Sequence, residues 1–443
     1  MNLTEQHFIK MVKQQELLKK IDEYCYAAKN LSNSVNYIIK QSYRIHQKLK
    51  NGDILDSWEK KLIYDLNCAI HNYNHAGKDP KNLKYIDENN SFIADAYFLS
   101  WYMKSLPVYK AMPYATCSQI CIQEKCREWK SFYCALIDYS KNPGKYLGRP
   151  RPPRYLDSKT GRGRIVITNQ NFTIDEMGNV IMPRFLSAIK VKARHKDVKQ
   201  LRVCIADKGV SIQLMYEQTE KENISTGITM GVDLGVNNLM AVAINSDKTP
   251  FIINGRPLKS INQYYNKKRA YLQSISQKSN KKYNTSKINA LTKKRNAKIK
   301  DYLHKASYML VKKAEKEGVG FIVIGLNNGW KQNKDMGKKT NQNFLSIPHT
   351  MLINMIKYKA AILGIKVKTV QEKYTSGTSY LDGEYPKKES YNKARRIKRG
   401  LFRSNRGILI NADINAAYQI MKVAGSSSLK IKENEKIEML NVA

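Results

Sequence analysis

The 443-residue sequence is short of three things, and each shortage excludes a class of protein. No apolar run approaches the ~20 residues that a bilayer-spanning helix needs. The N-terminal stretch MNLTEQHFIKMVKQQELLKK has no apolar leader core, so neither a membrane-embedded nor a secreted protein is expected. Cysteine is scarce: seven residues, none beyond Cys204, are too few for a disulfide-stapled scaffold. Acidic residues are the third shortage, with 37 Asp and Glu against 77 Lys and Arg and a formal net charge of +40. Charge of that size works against a free compact monomer, so a polyanionic partner is expected. Acidic proteins and membrane surfaces fit this balance, but nucleic acid fits it best. With 42% hydrophobic residues the chain can bury real cores, and at ~150 residues per domain two or three domains are expected. No internal repeat is visible.

Residues 1–140 read as mostly helical. VKQQELLKKIDEYCYAAKNL and SVNYIIKQSYRIHQKL place apolar residues three and four apart, although the first ~20 residues can instead add a strand to the module that follows. The dense Tyr and Lys suit base stacking and phosphate contact, or, for Tyr, plain packing between helices. NPGKYLGRPRPPR (Asn142–Arg154) cannot continue a helix. Short alternating runs follow: RIVIT (Arg164–Thr168), VIMP (Val180–Pro183), IKVKA (Ile189–Ala193), LRVCIA (Leu201–Ala206) and VSIQLMYE (Val210–Glu217). Residues 141–222 are therefore expected to form an antiparallel sheet or small barrel with one basic face.

A third region is expected over 223–424. ITMGVDLGVNNLMAVAIN (Ile228–Asn245) reads as strand, turn, strand, and PFIING (Pro250–Gly255) as a third strand. Residues 256–313 hold 17 Lys and Arg and one acid, Asp301. Their second half puts Ile299, Tyr302, Leu303, Ala306 and Leu310 on one stripe, a helix with a basic outer face. FIVIG (Phe321–Gly325) reads as a buried parallel strand, His349–Leu363 as a helix and IKVKTVQE (Ile365–Glu372) as a strand. A basic loop over 373–410 leads to NADINAAYQIMK (Asn411–Lys422), a capped helix, and 425–443 is expected to be disordered. This order is that of an RNase H-like α/β domain, so the fold class is α+β multidomain.

Domains of that kind cut nucleic acid with carboxylates that hold two divalent metals at neighbouring strand ends. Asp233 lies inside the first strand among Ile228, Met230, Val232, Leu234 and Val236, where an unpaired charge is costly and a cation partner is expected. Asp413 opens the last helix. Plainer roles exist for both: Asp233 as a turn cap, Asp413 as an acid favoured by the helix dipole. GVDLGVNN also resembles the phosphate hairpin of actin-like kinases, but the second hairpin and the adenosine motif of that fold are missing.

GVDLGVNNLMAVA, IGLNNGWKQ, NQNFLSIPH, EKYTSGTSYLDGE, RRIKRGLFRS and NADINAAYQIMK, in this order, closely resemble the transposon-encoded TnpB proteins. These are RNA-guided DNA endonucleases with a RuvC-type domain, similar to the miniature type V CRISPR effectors. AKNLSNSVNYIIKQ (Ala28–Gln41) and GRPRPPRY (Gly148–Tyr155) extend the likeness over nearly the whole chain. The resemblance implies a helical recognition region, a wedge-type β-barrel module and a RuvC-like nuclease domain. It implies a guide RNA and double-stranded target DNA as partners, a short flanking DNA motif, a prokaryotic cytosolic setting and a two-metal site for Mg²⁺, with Mn²⁺ as an alternative. Asp233 matches the first catalytic Asp of the family and Asp413 the last. Arg149, Arg151, Arg395, Arg396, Lys398 and Arg399 are the expected nucleic-acid contacts.

Two departures stand out. Most relatives carry the middle acid, a Glu, directly after the strand that here ends in Gly325. A subgroup carries Glu before the YTS motif, which here is Glu372, and neighbouring parallel strands ~4.8 Å apart permit the exchange. The plainer role for Glu372 is a strand-end Glu paired with Lys373 or Lys393. Glu384 is a weaker candidate, in a Gly-flanked loop expected to hold it poorly. Many relatives also carry two CxxC pairs between the last two acids. Here that stretch has no cysteine, so no zinc ribbon can form there. KKESYNKARRIKRGLFRSNR stands in its place, with nine Lys and Arg, as a backbone-contacting loop. Cys117, Cys121, Cys126 and Cys134 lack CxxC spacing and read as structural thiols rather than a zinc site.

A metal-dependent, RNA-guided DNA endonuclease is the leading expectation. A nuclease-inactive RNA-guided repressor is the alternative, and a miniature CRISPR effector shares every motif. The charge alone generates one prediction. Affinity for guide RNA should fall steeply between ~50 and ~200 mM salt, because many phosphate contacts release counterions. Filter binding at the two salts checks it, and a flat response would contradict it.

Overall fold

In the computed structural model, all residues are described except 78–80, 91–93, 207–208, 224–225, 247, 281–282, 327–345, 399, 426–436 and 443. They form two units, Met1–Gln218 and Thr219–Ala443.

The first unit runs β1 (Asn2–Lys10), α1 (Gln15–Asn51), α2 (Ser57–Asn74), α3 (Ala96–Met103), α4 (Pro107–Lys110), α5 (Ala115–Lys141), β2 (Ile165–Thr168), β3 (Thr173–Ile174), β4 (Val180–Ile181), β5 (Val198–Ala206) and β6 (Gly209–Glu217). In α1, Ile21, Cys25, Ala28, Leu31, Val35 and Ile39 recur at helical spacing and are all buried. Buried Asn36 accepts a hydrogen bond from the Trp129 indole of α5 at 2.9 Å, which satisfies both groups in the core. The proline-rich break runs extended against α1. Asn33 donates to the Leu156 carbonyl (3.0 Å) and accepts from its amide (2.9 Å), and Asn36 reaches the Pro153 carbonyl.

The first residues do add a strand: β1 pairs along the full length of β6, from Asn2 opposite Glu217 to Lys10 opposite Gly209. The sheet order is β1-β6-β5-β2, all antiparallel, with β3 and β4 as a separate ribbon. Among the described residues it is an open sheet, since β1 and β2 occupy opposite edges. IKVKA forms only one bridge, Lys192 to Asn179, and is not a strand of the sheet. Helices and sheet share one buried cluster, to which Leu31, Trp129, Ile167, Leu201 and Leu214 all belong.

The second unit runs β7 (Thr229–Leu234), β8 (Asn238–Ile244), β9 (Phe251–Asn254), α6 (Arg256–Asn280), α7 (Ser286–Lys316), β10 (Phe321–Gly325), α8 (His349–Ile362), β11 (Lys366–Val370), β12 (Leu401–Arg403), β13 (Leu409–Asn411), α9 (Ala412–Val423) and β14 (Glu438–Leu440). The basic stretch is thus two helices, α6 and α7. The main sheet has the order β11-β10-β7-β8-β9-β14; β12 and β13 form a separate hairpin. β7, β10 and β11 run parallel; β7, β8 and β9 are antiparallel neighbours. The expectation of a disordered 425–443 fails in part: Glu438–Leu440 pair parallel with β9, and Asn441 bonds Asn254. Met439 and Leu440 are the apolar pair of this short strand, which sits on the open edge of β9.

The two faces of this sheet differ. Met230, Val232 and Leu234 join Met240, Val242, Ile244 and residues of α7 and α8 in a large core. The alternate residues are small, and Ala241 and Ala243 pack on Ile414, Ala417, Tyr418 and Met421 of α9. Gly231 belongs to this face: a Cβ there would run into the Ala417 carbonyl oxygen of α9. Gly231→Ala should therefore lower stability by ~1–3 kcal/mol, the usual range for overpacking a tight contact. Denaturant unfolding checks this, and a change within ~0.5 kcal/mol would contradict it.

Candidate active site

Strand alternation sends Asp233 to the α9 face, away from the apolar neighbours that surround it in sequence. It lies near the carboxyl end of β7, opposite Ala241. Asp413 sits in the first turn of α9, which Asn411 caps by accepting from the amides of Asp413 (3.0 Å) and Ile414 (3.2 Å). Because α9 lies so close to β7, its N-terminus brings Asp413 to Asp233.

Glu372 arrives from the third direction. β11 stops at Val370, which pairs with Gly325 of β10, so Glu372 lies two residues past the strand end rather than at it. Its Oε2 stands 3.2 Å from where a Cβ on Gly325 would be. The carboxylate therefore occupies the neighbourhood that an acid after β10 would reach. Thr375 donates to Glu372 Oε1 at 3.4 Å. The turn is held by Tyr374, the one non-glycine residue with positive φ (62°) among those described. A bulky residue in that region is strained, and it re-aims the chain directly beside the acids.

The side chain of Glu372 stands beside that of Asp233, a contact that favours the protonated form of Asp233. Asp233 keeps partial exposure at the strand end, yet protein surrounds it densely. That burial, then the charges of Glu372 and Asp413, push its carboxyl well above the ordinary range, with Arg396 pulling the other way. Asp413 Oδ2 accepts from Asn238 at 2.7 Å and Oδ1 from Arg396 at 3.0 Å. Asn238 and Thr375 were missed by sequence reasoning; for Asn238 the signal was its place in GVDLGVNN.

Glu384 stands apart from this cluster. The expectation that its loop holds it poorly is wrong: it is paired with Arg395 at 2.6 Å, and its side chain is only 17% exposed. Arg395 is turned inward by the same pair, with 15% exposure, and does not face solvent. Arg396 is exposed apart from its contact with Asp413, and Lys398, Arg149 and Arg151 are exposed. Arg399 lies outside the described residues. Tyr26, Tyr37, Tyr64 and Tyr97 of the first unit are exposed, whereas Tyr73 and Tyr109 are core, so both expected roles of Tyr occur. Lys29 lies 3.7 Å from the Tyr26 ring centre, and Lys40 lies 4.9 Å from that of Tyr155. All seven cysteines are free, and burial pushes the thiols of Cys117 to about 11 and Cys126 to about 12.

The donor set of the acid cluster is oxygen-only and carries more negative charge than Arg396 offsets, which suits hard divalent cations. Among the described residues no three His, Cys, Asp or Glu side chains form a ready-made ion-binding group, and Asp413 is held by Asn238 and Arg396. A cation bound here would take over the role of Arg396 on Asp413. With no cation, the raised Asp233 group holds its proton more tightly in the folded than in the unfolded chain. Its contribution to stability therefore falls as pH rises above the ordinary carboxylate range. Asp233→Asn should raise the metal-free Tm near neutral pH by a few degrees and flatten its decline with pH. Thermal melts in chelator check this, and an equal or lower Tm would contradict it.

Parts of the chain match known proteins. Residues 212–331 match the OrfB_IS605 family, described as "Probable transposase", and residues 349–420 match the Cas12f1-like TNB domain. The CRISPR-associated endodeoxyribonuclease Cas12f2 of a Micrarchaeota archaeon is 28% identical over 227 residues, 48% of this chain. That match spans only 40% of the relative's length. A Cas12f1–sgRNA–target DNA complex aligns over 94% of this chain and 98% of its own, at 17% identity and TM-score 0.34. A CRISPR-Cas12f ternary complex covers 91% and 83%, at 14% identity and TM-score 0.38. No helix among the described residues is long and apolar enough to cross a membrane. The two family matches fall on the sheet, α8, the basic loop and α9, and with the Cas12f2 relative they make these parts of the chain similar to TnpB proteins and miniature type V effectors.

Proposed function

We propose that this protein is an RNA-guided, divalent-metal-dependent DNA endonuclease that cuts double-stranded DNA next to a short flanking motif. The observation that carries the reading is the convergence of Asp233, Glu372 and Asp413 from three separate elements onto one end of the sheet. Three acids drawn together at a cost to stability, under a net charge of +40, suit a site that handles phosphodiesters. Bound Mg²⁺ or Mn²⁺ would supply an activated water and charge stabilisation for the leaving oxygen.

Asp233, Glu372 and Asp413 would hold the ions. Asn238 fixes the rotation of Asp413, and Thr375 orients Glu372. Arg396 neutralises Asp413 in the free protein, and its guanidinium is free to turn to a phosphate once that acid has another partner. The exposed Tyr, Lys and Arg of the first unit, Arg149 and Arg151 among them, would hold guide RNA and the RNA–DNA hybrid by stacking and backbone contact. The open antiparallel sheet would serve as the wedge.

Asp233→Ala and Asp413→Ala should each reduce cleavage to background while RNA-guided DNA binding stays near wild type. A loss of binding as large as the loss of cleavage would indicate misfolding instead. Glu372→Gln should lower cleavage by about a hundredfold or more, because a neutral amide is a poorer ligand for a hard cation. Adding Gly325→Glu to Glu372→Gln should return part of the activity, with Ile420, whose Cδ1 lies 2.5 Å from the new Cβ, turning aside. Radiolabelled duplex, Mg²⁺ and the co-purifying RNA suffice for all four measurements. Full cleavage by Glu372→Gln would remove Glu372 from the site.

A further inference from the structure

The loop that carries Arg396 is tied down at one carboxylate. Residues 378–384 lie along a single face of α9. Asn415 donates to the Thr378 carbonyl (2.8 Å) and accepts from the Tyr380 amide (3.0 Å). The Tyr380 and Tyr418 rings stack at 4.8 Å, Gln419 donates to the Glu384 carbonyl (3.1 Å), and Lys422 donates to the Gly383 carbonyl (2.6 Å). Positions 415, 418, 419 and 422 are one helical stripe. The segment turns at Gly383 (φ 70°), and a second turn closes at Gly407 (φ 80°), both left-handed positions that favour glycine.

Glu384 joins these pieces. Its Oε2 accepts from the Ser379 amide at 2.8 Å and from Arg395 at 2.6 Å, and its Oε1 accepts from the Asn405 side chain at 3.3 Å. Asp382 adds a second strut by accepting from the Asn405 amide at 2.7 Å. Burial works against the charge of Glu384, but Arg395 and the Ser379 amide outweigh it and hold the carboxyl below its ordinary value. The side chains in this knot are carboxylates, amides and a guanidinium, with no cysteine among them.

We propose that Glu384 is a positioning residue: it locks the 379–384 turn, the 404–407 turn and Arg395 into one knot, and thereby delivers the next residue, Arg396, to Asp413. Arg395 points inward to Glu384 and Arg396 reaches out 3.0 Å to the acid cluster, so the register of one fixes the reach of the other. The inference rests on the nuclease reading of that cluster.

The test compares wild type with Glu384→Ala, Glu384→Gln, Arg395→Ala, Arg396→Ala and the double variant Glu384→Ala/Arg396→Ala, each carrying its co-purifying RNA. Limited trypsin digestion, with cut sites mapped by mass spectrometry, reads the loop without reference to activity. Cuts within 387–406 should appear about tenfold faster in Glu384→Ala and Arg395→Ala, and at the wild-type rate elsewhere and in Arg396→Ala. Duplex cleavage in Glu384→Ala should fall as far as in Arg396→Ala, with the double variant no worse by more than about twofold. Both single variants should shift the Mg²⁺ concentration for half-maximal cleavage alike, which a merely structural role would not do. Glu384→Gln, which keeps its acceptor oxygen, should fall between. Unchanged digestion in both Glu384→Ala and Arg395→Ala would overturn the proposal, as would a loosened loop with full cleavage, or fully additive losses. Cleavage that survives Asp233→Ala would instead overturn the reading of the acid cluster as the nuclease site, and the digestion would still decide whether Glu384 holds the loop.

Discussion

The close approach of α9 to the main sheet governs the rest of the second unit. A helix lies ~10 Å from a sheet when large side chains separate them, and nearer when the interface is made of glycine and alanine. Gly231, Ala241 and Ala243 supply such an interface under Ala417, Tyr418 and Met421. Gly325 extends it, since a Cβ there would meet Ile420. The same closeness that leaves no room for a side chain at 231, and room at 325 only if Ile420 turns aside, sets Asp413 beside Asp233. A glycine after β10 and a carboxylate supplied from beyond β11 are thus two sides of one packing solution.

Charge is arranged around that constraint. Three carboxylates brought together repel one another, and burial together with the charges of Glu372 and Asp413 raises the Asp233 group. One guanidinium, Arg396, offsets part of it. Elsewhere the balance is reversed, with cations in excess and tyrosines exposed on the first unit. Concentrated negative charge within a basic protein is what a site for metal-assisted phosphodiester chemistry requires, because the acids hold cations while the surroundings attract the polyanion.

Much of this was legible in the chain. The strands at 165–168, 198–206, 209–217, 229–234, 238–244, 251–254, 321–325 and 366–370 follow from local alternation or apolar runs, and the helix at 412–423 from its capping Asn and apolar spacing. Elements held by distant partners were not. IKVKA alternates well enough for a strand but finds no ladder beyond one bridge, and Glu438–Leu440, in a polar tail, become a strand because β9 offers an open edge. Glu384 was misjudged for the same reason: flanking glycine and a turn suggest looseness, whereas Arg395, Ser379 and Asn405 close around it from eleven, five and twenty-one residues away.

By itself the sequence determined the charge, the lack of a spanning helix or a cysteine-ligated zinc site in the last third, the type of most elements, and the identity of the acids Asp233 and Asp413 as candidates. These depend on composition and on short-range periodicity, which the chain carries locally. The choice of Glu372 over Glu384 came from the family resemblance; only the tertiary structure decided that Arg395 faces inward while Arg396 faces the acids, and that Asn238 and Thr375 touch the carboxylates. Those are questions of distance between residues up to 175 positions apart in the chain, and short-range periodicity does not fix such distances.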